Sequence, residues 1–124
     1  MDKRVSEAEL EIMEALWSAA PRALSATQVA AAVSASRDWS LPTIKTMLSR
    51  LAQKGAVMHE AEGRRYLYRP AIAREAYVSS ESRRLVDRLF GGRLTPMIAQ
   101  LAEDEALSEA DIADIEALLK ELRK

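Results

Sequence analysis

Residues 40–55 read SLPTIKTMLSRLAQKG, and this stretch decides the fold. Ser40 is the predicted N-cap of a helix, and Pro42 is tolerated in its first turn because no backbone donor is needed there. Gly55 is placed to end the helix in the left-handed conformation. The spacing of the large apolar residues predicts one buried stripe along the helix, formed by Leu41, Ile44, Leu48 and Leu51.

The opposite face of this predicted helix carries short hydroxyls and cations but no acid. Its residues are Thr43, Thr46, Ser49 and Arg50, flanked by Lys45, Met47 and Lys54. Small hydroxyl residues allow close approach to DNA, and arginine can donate two hydrogen bonds to guanine. A solvated helix usually mixes Glu with Lys. We therefore expect base-edge contacts from Thr43, Thr46 and Arg50. Phosphate contacts are expected from a second set of residues: Ser40, Lys45, Lys54, Arg64 and Arg65.

A β-hairpin is predicted directly after Gly55, because the apolar period changes there from helical to about two. Residues 56–60 and 65–69 read as strands, with residues 62–64 as the turn and Pro70 as the end. The tip of the hairpin is basic, which suits contact with a sugar-phosphate backbone. The two tyrosines of the second strand are candidates for packing on the helices, and we expect at least one of them to do so.

Two helices are predicted before residue 40. Residues 6–9 (SEAE) and 25–28 (SATQ) are both capping boxes, in which a serine hydroxyl and the third helical residue satisfy each other's backbone donors. Residues 23–24 are too short to be more than an edge strand or a connector. Three helices followed by a basic hairpin is the order of a winged helix-turn-helix, whose wing lies beside the duplex. The predicted fold class is mainly α with a small β-hairpin.

A helical tail follows the hairpin. One helix is predicted over residues 73–90, ending at Gly91-Gly92, and a second is predicted to begin with Thr95 as its N-cap and Pro96 at its first position. A third opens at residues 108–111 with a capping pattern. We expect a winged DNA-binding domain over residues 1–71 and a helical dimerisation domain over residues 72–124.

The tail helices carry more apolar surface than they can bury against one another. Soluble proteins most often cover such a surface in a two-fold symmetric dimer, and packing of the tail onto the winged domain is the alternative. The residues assigned to the dimer interface are Tyr77, Leu85, Leu89, Phe90, Met97, Ile98, Leu101, Ile112, Ile115, Leu118, Leu119 and Leu122.

The net charge of −1 conceals two regions of opposite sign. From Arg37 to Arg74 there are eight cations and three anions, which gives 8 − 3 = +5. From Glu103 to Lys124 there are three cations and eight anions, which gives 3 − 8 = −5. The basic region is suited to meet a polyanion, and mutual pairing of the two regions within the fold is the alternative.

The residue inventory leaves little for catalysis. With no cysteine, disulfides, thiolate metal sites and cysteine nucleophiles are excluded, and the single histidine, His59, lies in a predicted strand without a companion. We expect no catalytic residue, no cofactor and no metal. The N-terminus lacks an apolar leader and no apolar run approaches the ~20 residues of a membrane span, so a cytoplasmic location is expected.

The alternative to a DNA-binding role is a winged helix that only binds protein. The exposed face of such a helix should be apolar or acidic. The face formed by Thr43, Thr46, Ser49 and Arg50 is neither.

Four stretches together resemble the penicillinase-repressor family (BlaI/MecI/CopY). They are SEAEL at residues 6–10, WSLPTIKTMLSRL at 39–51, EGRRYLY at 62–68 and FGG at 90–92. The resemblance implies a homodimer that binds a two-fold symmetric operator through its third helix and blocks transcription. The β-lactam-responsive members are inactivated by a sensor-linked protease at an Asn-Phe bond, where this chain has Gln100-Leu101. The copper-responsive members use C-terminal cysteines, which this chain lacks.

Overall fold

The computed structural model describes residues 4–124; the first three residues of the predicted DNA-binding domain lie outside the described range. The elements in chain order are α1 (Glu7–Ala19), β1 (Leu24–Ser25), α2 (Ala26–Val33), α3 (Leu41–Gln53), β2 (Val57–Glu62), β3 (Arg65–Pro70), α4 (Arg74–Phe90), α5 (Leu94–Glu103) and α6 (Glu109–Leu122). The chain forms two compact units, which divide between Ser79 and Ser80 within α4.

The first unit is built on three helices and a small sheet around one core. Its largest fully buried side chains come from all three helices: Ile12, Met13, Leu16, Val29, Ile44, Leu48 and Leu51. Both predicted capping boxes are present. Ser6 Oγ accepts a hydrogen bond from Glu9 N at 3.1 Å, and Ser25 Oγ accepts one from Gln28 N at 3.2 Å. The ends of α1 and α2 are therefore set by local hydrogen bonds, as predicted.

The third helix has the predicted bounds. Ser40 is its N-cap, and its C-terminus closes with Ala56 N donating to Leu51 O at 2.9 Å while Gly55 has φ of 81°. Two details of the predicted burial were wrong. Leu41 is 37% exposed because it is the first helical residue and lies at the edge of the core. Met47 is only 7% exposed, since it follows Ile44 by three residues and shares the buried face.

The sheet is antiparallel with the order β1-β3-β2. Its β1 is an edge strand that pairs Leu24 with Tyr68. The wing, defined as β2, β3 and their turn, is tighter than predicted, because Glu62 pairs with Arg65 across a two-residue turn. Gly63 makes this turn possible with φ of 64°, a conformation that side chains disfavour.

The start of α4 belongs with the first unit. Arg74 donates to Glu14 of α1 at 2.8 and 3.0 Å, and the ring of Tyr77 lies 5.7 Å from that of Trp17. The Tyr77 hydroxyl also accepts a hydrogen bond from Val5 N at 3.2 Å. The predicted domain boundary at residues 71 and 72 stays a prediction, and these contacts explain why the compact units divide later.

The second unit contains the rest of α4, with α5 and α6. Gly91 and Gly92 end α4 with φ of 60° and 82°. The N-cap of α5 is Arg93, so the predicted cap at Thr95 was wrong. The chain re-enters a helix as soon as the two glycines have redirected it, and Pro96 still falls in the first turn, where no intrahelical donor is required. Among the described residues, no helix is long and apolar enough to span a membrane.

Candidate nucleic-acid interface

The exposed face of α3 has the composition that the sequence predicted. Thr43, Lys45, Thr46, Ser49 and Arg50 are all exposed, while the apolar stripe beneath them is buried in the core. Within the described part of the chain, neither Lys45 nor Arg50 has a carboxylate at ion-pair distance. The face therefore presents cations whose charge is not neutralised by described neighbours, a surface that attracts an anion.

The hydroxyls on this face are partly committed to the helix itself. Thr46 Oγ1 donates to Pro42 O at 3.0 Å, which leaves its lone pairs to accept from a ligand. Ser40 Oγ accepts from Thr43 N at 3.3 Å and lies 2.9 Å from Thr43 Oγ1. Thr46 is thus oriented as an acceptor, and Arg50 is the fork-shaped donor of the face.

A cleft of about 690 Å³ lies between the start of α2, the middle of α3 and the wing. It is lined by Ser25, Ala26, Thr27, Gln28, Lys45, Arg64, Arg65, Tyr66 and Tyr68. Three of these residues are cations and none is an acid. The structure thus brings the two wing arginines to the same cleft as Lys45, which the spacing of these residues in the sequence could not show.

The two wing arginines differ in their partners. Arg65 Nη2 lies 2.7 Å from Glu62 Oε1 in an exposed pair, whereas Arg64 has no carboxylate at ion-pair distance among the described residues. Exposed pairs of this kind are weak, so Arg65 can exchange its carboxylate for a phosphate. Arg64 is exposed and occupies the two-residue turn at the tip of the hairpin.

The wing tyrosines separate into two environments. Tyr68 packs partly against the core, and burial raises the pKa of its hydroxyl, with the neighbouring Tyr66 contributing in the same direction. Tyr66 is 51% exposed and lies edge-on to His59, with ring centroids 5.0 Å apart. The expectation that at least one tyrosine packs on the helices is confirmed for Tyr68.

Lys54, which was also predicted to contact phosphate, forms an ion pair with a buried carboxylate. Its Nζ lies 2.5 Å from Glu9 Oε1, and the Glu9 side chain is only 5% exposed. Burial alone would raise the pKa of Glu9, but hydrogen bonds from Lys54 and from Ser6 N lower it below the ordinary value of 4.5. The ammonium group of Lys54 is therefore paired with a buried carboxylate, whereas the carboxylate that pairs with Arg65 is exposed.

The predicted dimer residues divide between the two units. Tyr77 is half-buried against Trp17 in the first unit, so that much of its ring is already covered. Within residues 80–124, all of which the structure describes, Val86 is the only buried residue. The other predicted interface residues remain partly or largely exposed: Leu85, Leu89, Phe90, Met97, Ile98, Leu101, Ile112, Ile115, Leu118, Leu119 and Leu122.

Comparison with known proteins identifies the family. The family model described as the penicillinase repressor matches residues 5–121. This chain belongs to the penicillinase repressor family. The penicillinase repressor of Bacillus licheniformis is 34% identical over 118 residues, which cover 95% of this chain and 91% of that protein. The methicillin resistance regulatory protein MecI of Staphylococcus aureus (strain N315) is 24% identical over 115 residues, which cover 93% of this repressor and 92% of MecI.

Solved structures agree with this assignment. The Bacillus licheniformis BlaI monomeric form in complex with the blaP half-operator has a TM-score of 0.50 at 39% identity, covering 60% of this repressor and 88% of that chain. The DNA-binding domain of BlaI has a TM-score of 0.54 at 38% identity, covering 62% and 94%. Apo wild-type MarR from E. coli has a TM-score of 0.54 at 20% identity, covering 95% and 77%, which is a likeness of fold alone.

The winged helix-turn-helix predicted from the sequence is confirmed, as is membership of the family that the motifs resemble. The protein is a DNA-binding transcriptional repressor. Because the family and the fold are those of repressors, it is not an enzyme.

Proposed function

We propose that this repressor binds a two-fold symmetric operator as a homodimer and represses by occluding the DNA. The observation that carries the proposal is the acid-free, exposed face of α3, which continues into a cationic cleft beside the wing. An α-helix of this width enters a major groove, where base edges are distinguishable. The related BlaI of Bacillus licheniformis forms a complex with the blaP half-operator, which supports binding of operator DNA here.

Three side chains read bases in this proposal. Arg50 donates two hydrogen bonds to a guanine, and Thr43 and Thr46 contact neighbouring base edges. Since Thr46 Oγ1 already donates to Pro42 O, Thr46 acts as an acceptor toward an amino group of adenine or cytosine. Each half-site is thus expected to hold a guanine at the position that Arg50 contacts.

Phosphate contacts come from the cleft and its rim. Lys45, Arg64 and Arg65 surround the cleft, and Ser40 lies at the N-terminus of α3, where backbone N–H groups favour an anion. These contacts supply affinity and salt dependence but carry no sequence information. Lys54 is omitted from this set because its ammonium group pairs with buried Glu9.

The occupant proposed for the apolar surface of α4, α5 and α6 is a second copy of the chain. Within residues 80–124 only Val86 is buried, although the three helices carry large apolar side chains throughout. Closed two-fold symmetry covers the same patch on both protomers at once and leaves no apolar surface for open-ended association. It also presents two copies of α3 to one duplex, about one helical turn apart or a multiple of that distance.

Release of the DNA after cleavage by a sensor-linked protease is proposed from the resemblance to the β-lactam-responsive members. The Gln100-Leu101 bond lies inside α5 (Leu94–Glu103), and the Gln100 amide donates weakly to Asp104 at 3.3 and 3.4 Å. Cleavage there requires local opening of α5, which buries few side chains.

The proposed location of the repressor is the cytoplasm, where operator DNA is accessible.

Selection of bound duplexes from a random pool tests the function. The expected result is a palindrome with two half-sites, each containing a guanine that Arg50→Ala no longer selects. Sedimentation of the protein and of its complex gives the stoichiometry, with two protomers per palindrome expected. Failure to retain any duplex at low ionic strength would contradict DNA binding, and enrichment of single half-sites by a monomer would contradict the dimer.

A further inference from the structure

One ion pair joins the first turn of α1 to the C-cap of α3. Glu9 Oε1 lies 2.5 Å from Lys54 Nζ and also accepts a hydrogen bond from Ser6 N at 2.9 Å. The Glu9 side chain is 5% exposed and that of Lys54 is 33% exposed. The contact is thus largely shielded from water and anchored on its acidic side by the capping box of α1.

The lysine end of this pair is adjacent to the proposed base reader. Lys54 is the C-cap of α3, and its backbone N–H donates to Arg50 O at 3.0 Å. Arg50 therefore lies one helical turn before the residue that α1 holds. A shift of the last turn of α3 would move the guanidinium group relative to the groove, while the N-terminal turn is held separately by Ser40.

A phosphate contact by Lys54 would break this arrangement. If its ammonium group turned outward to DNA, Glu9 would remain buried with a negative charge and no cationic partner, which is strongly unfavourable. The lowered pKa of Glu9 agrees with a carboxylate that is stabilised in its charged form by Lys54 and Ser6 after burial has opposed it. Loss of Lys54 as partner would therefore remove an interaction that keeps the Glu9 carboxylate charged.

We propose that Lys54 is a positioning residue, which, through its ion pair with Glu9, holds the last turn of α3 and Arg50 in the orientation that reads the operator. The inference rests on the proposed function, in which α3 reads bases. In this inference Lys54 contributes to discrimination between DNA sequences and not to affinity for phosphate. Glu9, as the partner of Lys54, has the same positioning role.

The test compares Lys54→Met and Glu9→Gln with the wild type on two duplexes, the one selected from the random pool and a scrambled one, over a range of salt concentrations. Methionine keeps an apolar stem, and glutamine keeps an oxygen for Ser6 N. Each variant should bind the selected duplex about tenfold more weakly. The double variant should bind no more weakly than either single variant, because both substitutions remove the same ion pair. Affinity for the scrambled duplex and the slope of log K against log salt should not change.

A phosphate contact would give the opposite pattern. Lys54→Met would then lower the salt slope by about 0.9 and weaken both duplexes alike, while Glu9→Gln would leave binding unchanged or tighten it. That pattern overturns the inference. If Lys54→Met does not fold, Glu9→Gln alone decides between the two outcomes. A wild type that retained no duplex would overturn the proposed function and this inference together, whereas a changed salt slope overturns the inference alone.

Glu11→Gln is the matched control. It removes one negative charge from the same helix, but Glu11 pairs with Arg37 in a more exposed setting, with side chains 29% and 47% exposed. Exposed pairs contribute little, so this variant should bind both duplexes as the wild type does. A tenfold loss in Glu11→Gln would show that the charge of α1, and not the tether to α3, governs binding, and would overturn the inference.

Discussion

Replacing Leu118 and Leu119 by aspartate removes two exposed apolar side chains from the proposed dimer surface on α6. These side chains are 60% and 52% exposed in the single chain. Full burial of a leucine side chain stabilises by about 2 kcal/mol, so covering these fractions contributes about 1 kcal/mol for each. Four such side chains meet in a two-fold dimer, so the variant should lose about 4 kcal/mol, which raises the dimer Kd about a thousandfold.

Sedimentation equilibrium over a range of protein concentrations measures this Kd directly. The matched control is Ala113→Asp with Ala117→Asp, which adds the same two charges on the opposite face of α6 and should leave the dimer intact. Circular dichroism melts should show that the first unit, which contains the wing, still folds in both variants. An unchanged dimer Kd in the leucine variant would refute the assignment of α6 to the interface, and equal weakening in the control would refute the argument from apolar burial.

Three further predictions concern the winged unit. Arg50→Ala should weaken binding of the selected duplex by about 1–3 kcal/mol and relax selection at one base pair, as a gel-shift titration and a repeat selection can measure. Arg64→Ala should weaken all duplexes and lower the salt slope by about 0.9, and an unchanged slope would remove the wing tip from the phosphate contacts. The pKa of Glu9 is lowered in the fold, so its ion pair contributes fully above the ordinary value of 4.5 and is lost as pH falls through the folded pKa. Urea midpoints should therefore fall in acid less for Glu9→Gln than for the wild type.

Local features of the winged unit could be predicted from the sequence with little error. The capping boxes at Ser6 and Ser25 and the C-terminal glycine of α3 were confirmed because their hydrogen bonds join residues three to five apart. The wing followed from a change of apolar period, and its turn was predicted one residue too long. Such features depend on near neighbours alone, so no knowledge of the rest of the chain was needed.

Predictions at the ends of elements were less accurate. The N-cap of α5 was assigned to Thr95 on its residue type, but the double glycine redirects the chain early enough for the helix to begin at Leu94. Leu41 matched the apolar stripe of α3 but lies at the edge of the core and is 37% exposed. A helical period gives the direction of a side chain and not whether anything covers it.

The order of elements, the hydroxyl and arginine face of α3 and the charge division were determined by the sequence alone, because each depends on residue type and local spacing. Only the tertiary structure decided which charges pair across long stretches of the chain, such as Lys54 with Glu9 and Arg74 with Glu14. Lys54 and Glu9 are 45 residues apart and meet because the folded chain brings the first turn of α1 to the C-cap of α3. Tyr77 of α4 likewise packs on Trp17 of α1, although 60 residues separate them in the chain. The attraction between two charges depends on their distance in space and not on their separation in the sequence. Packing of the apolar core sets these distances, because it brings side chains that are far apart in the chain within reach of each other.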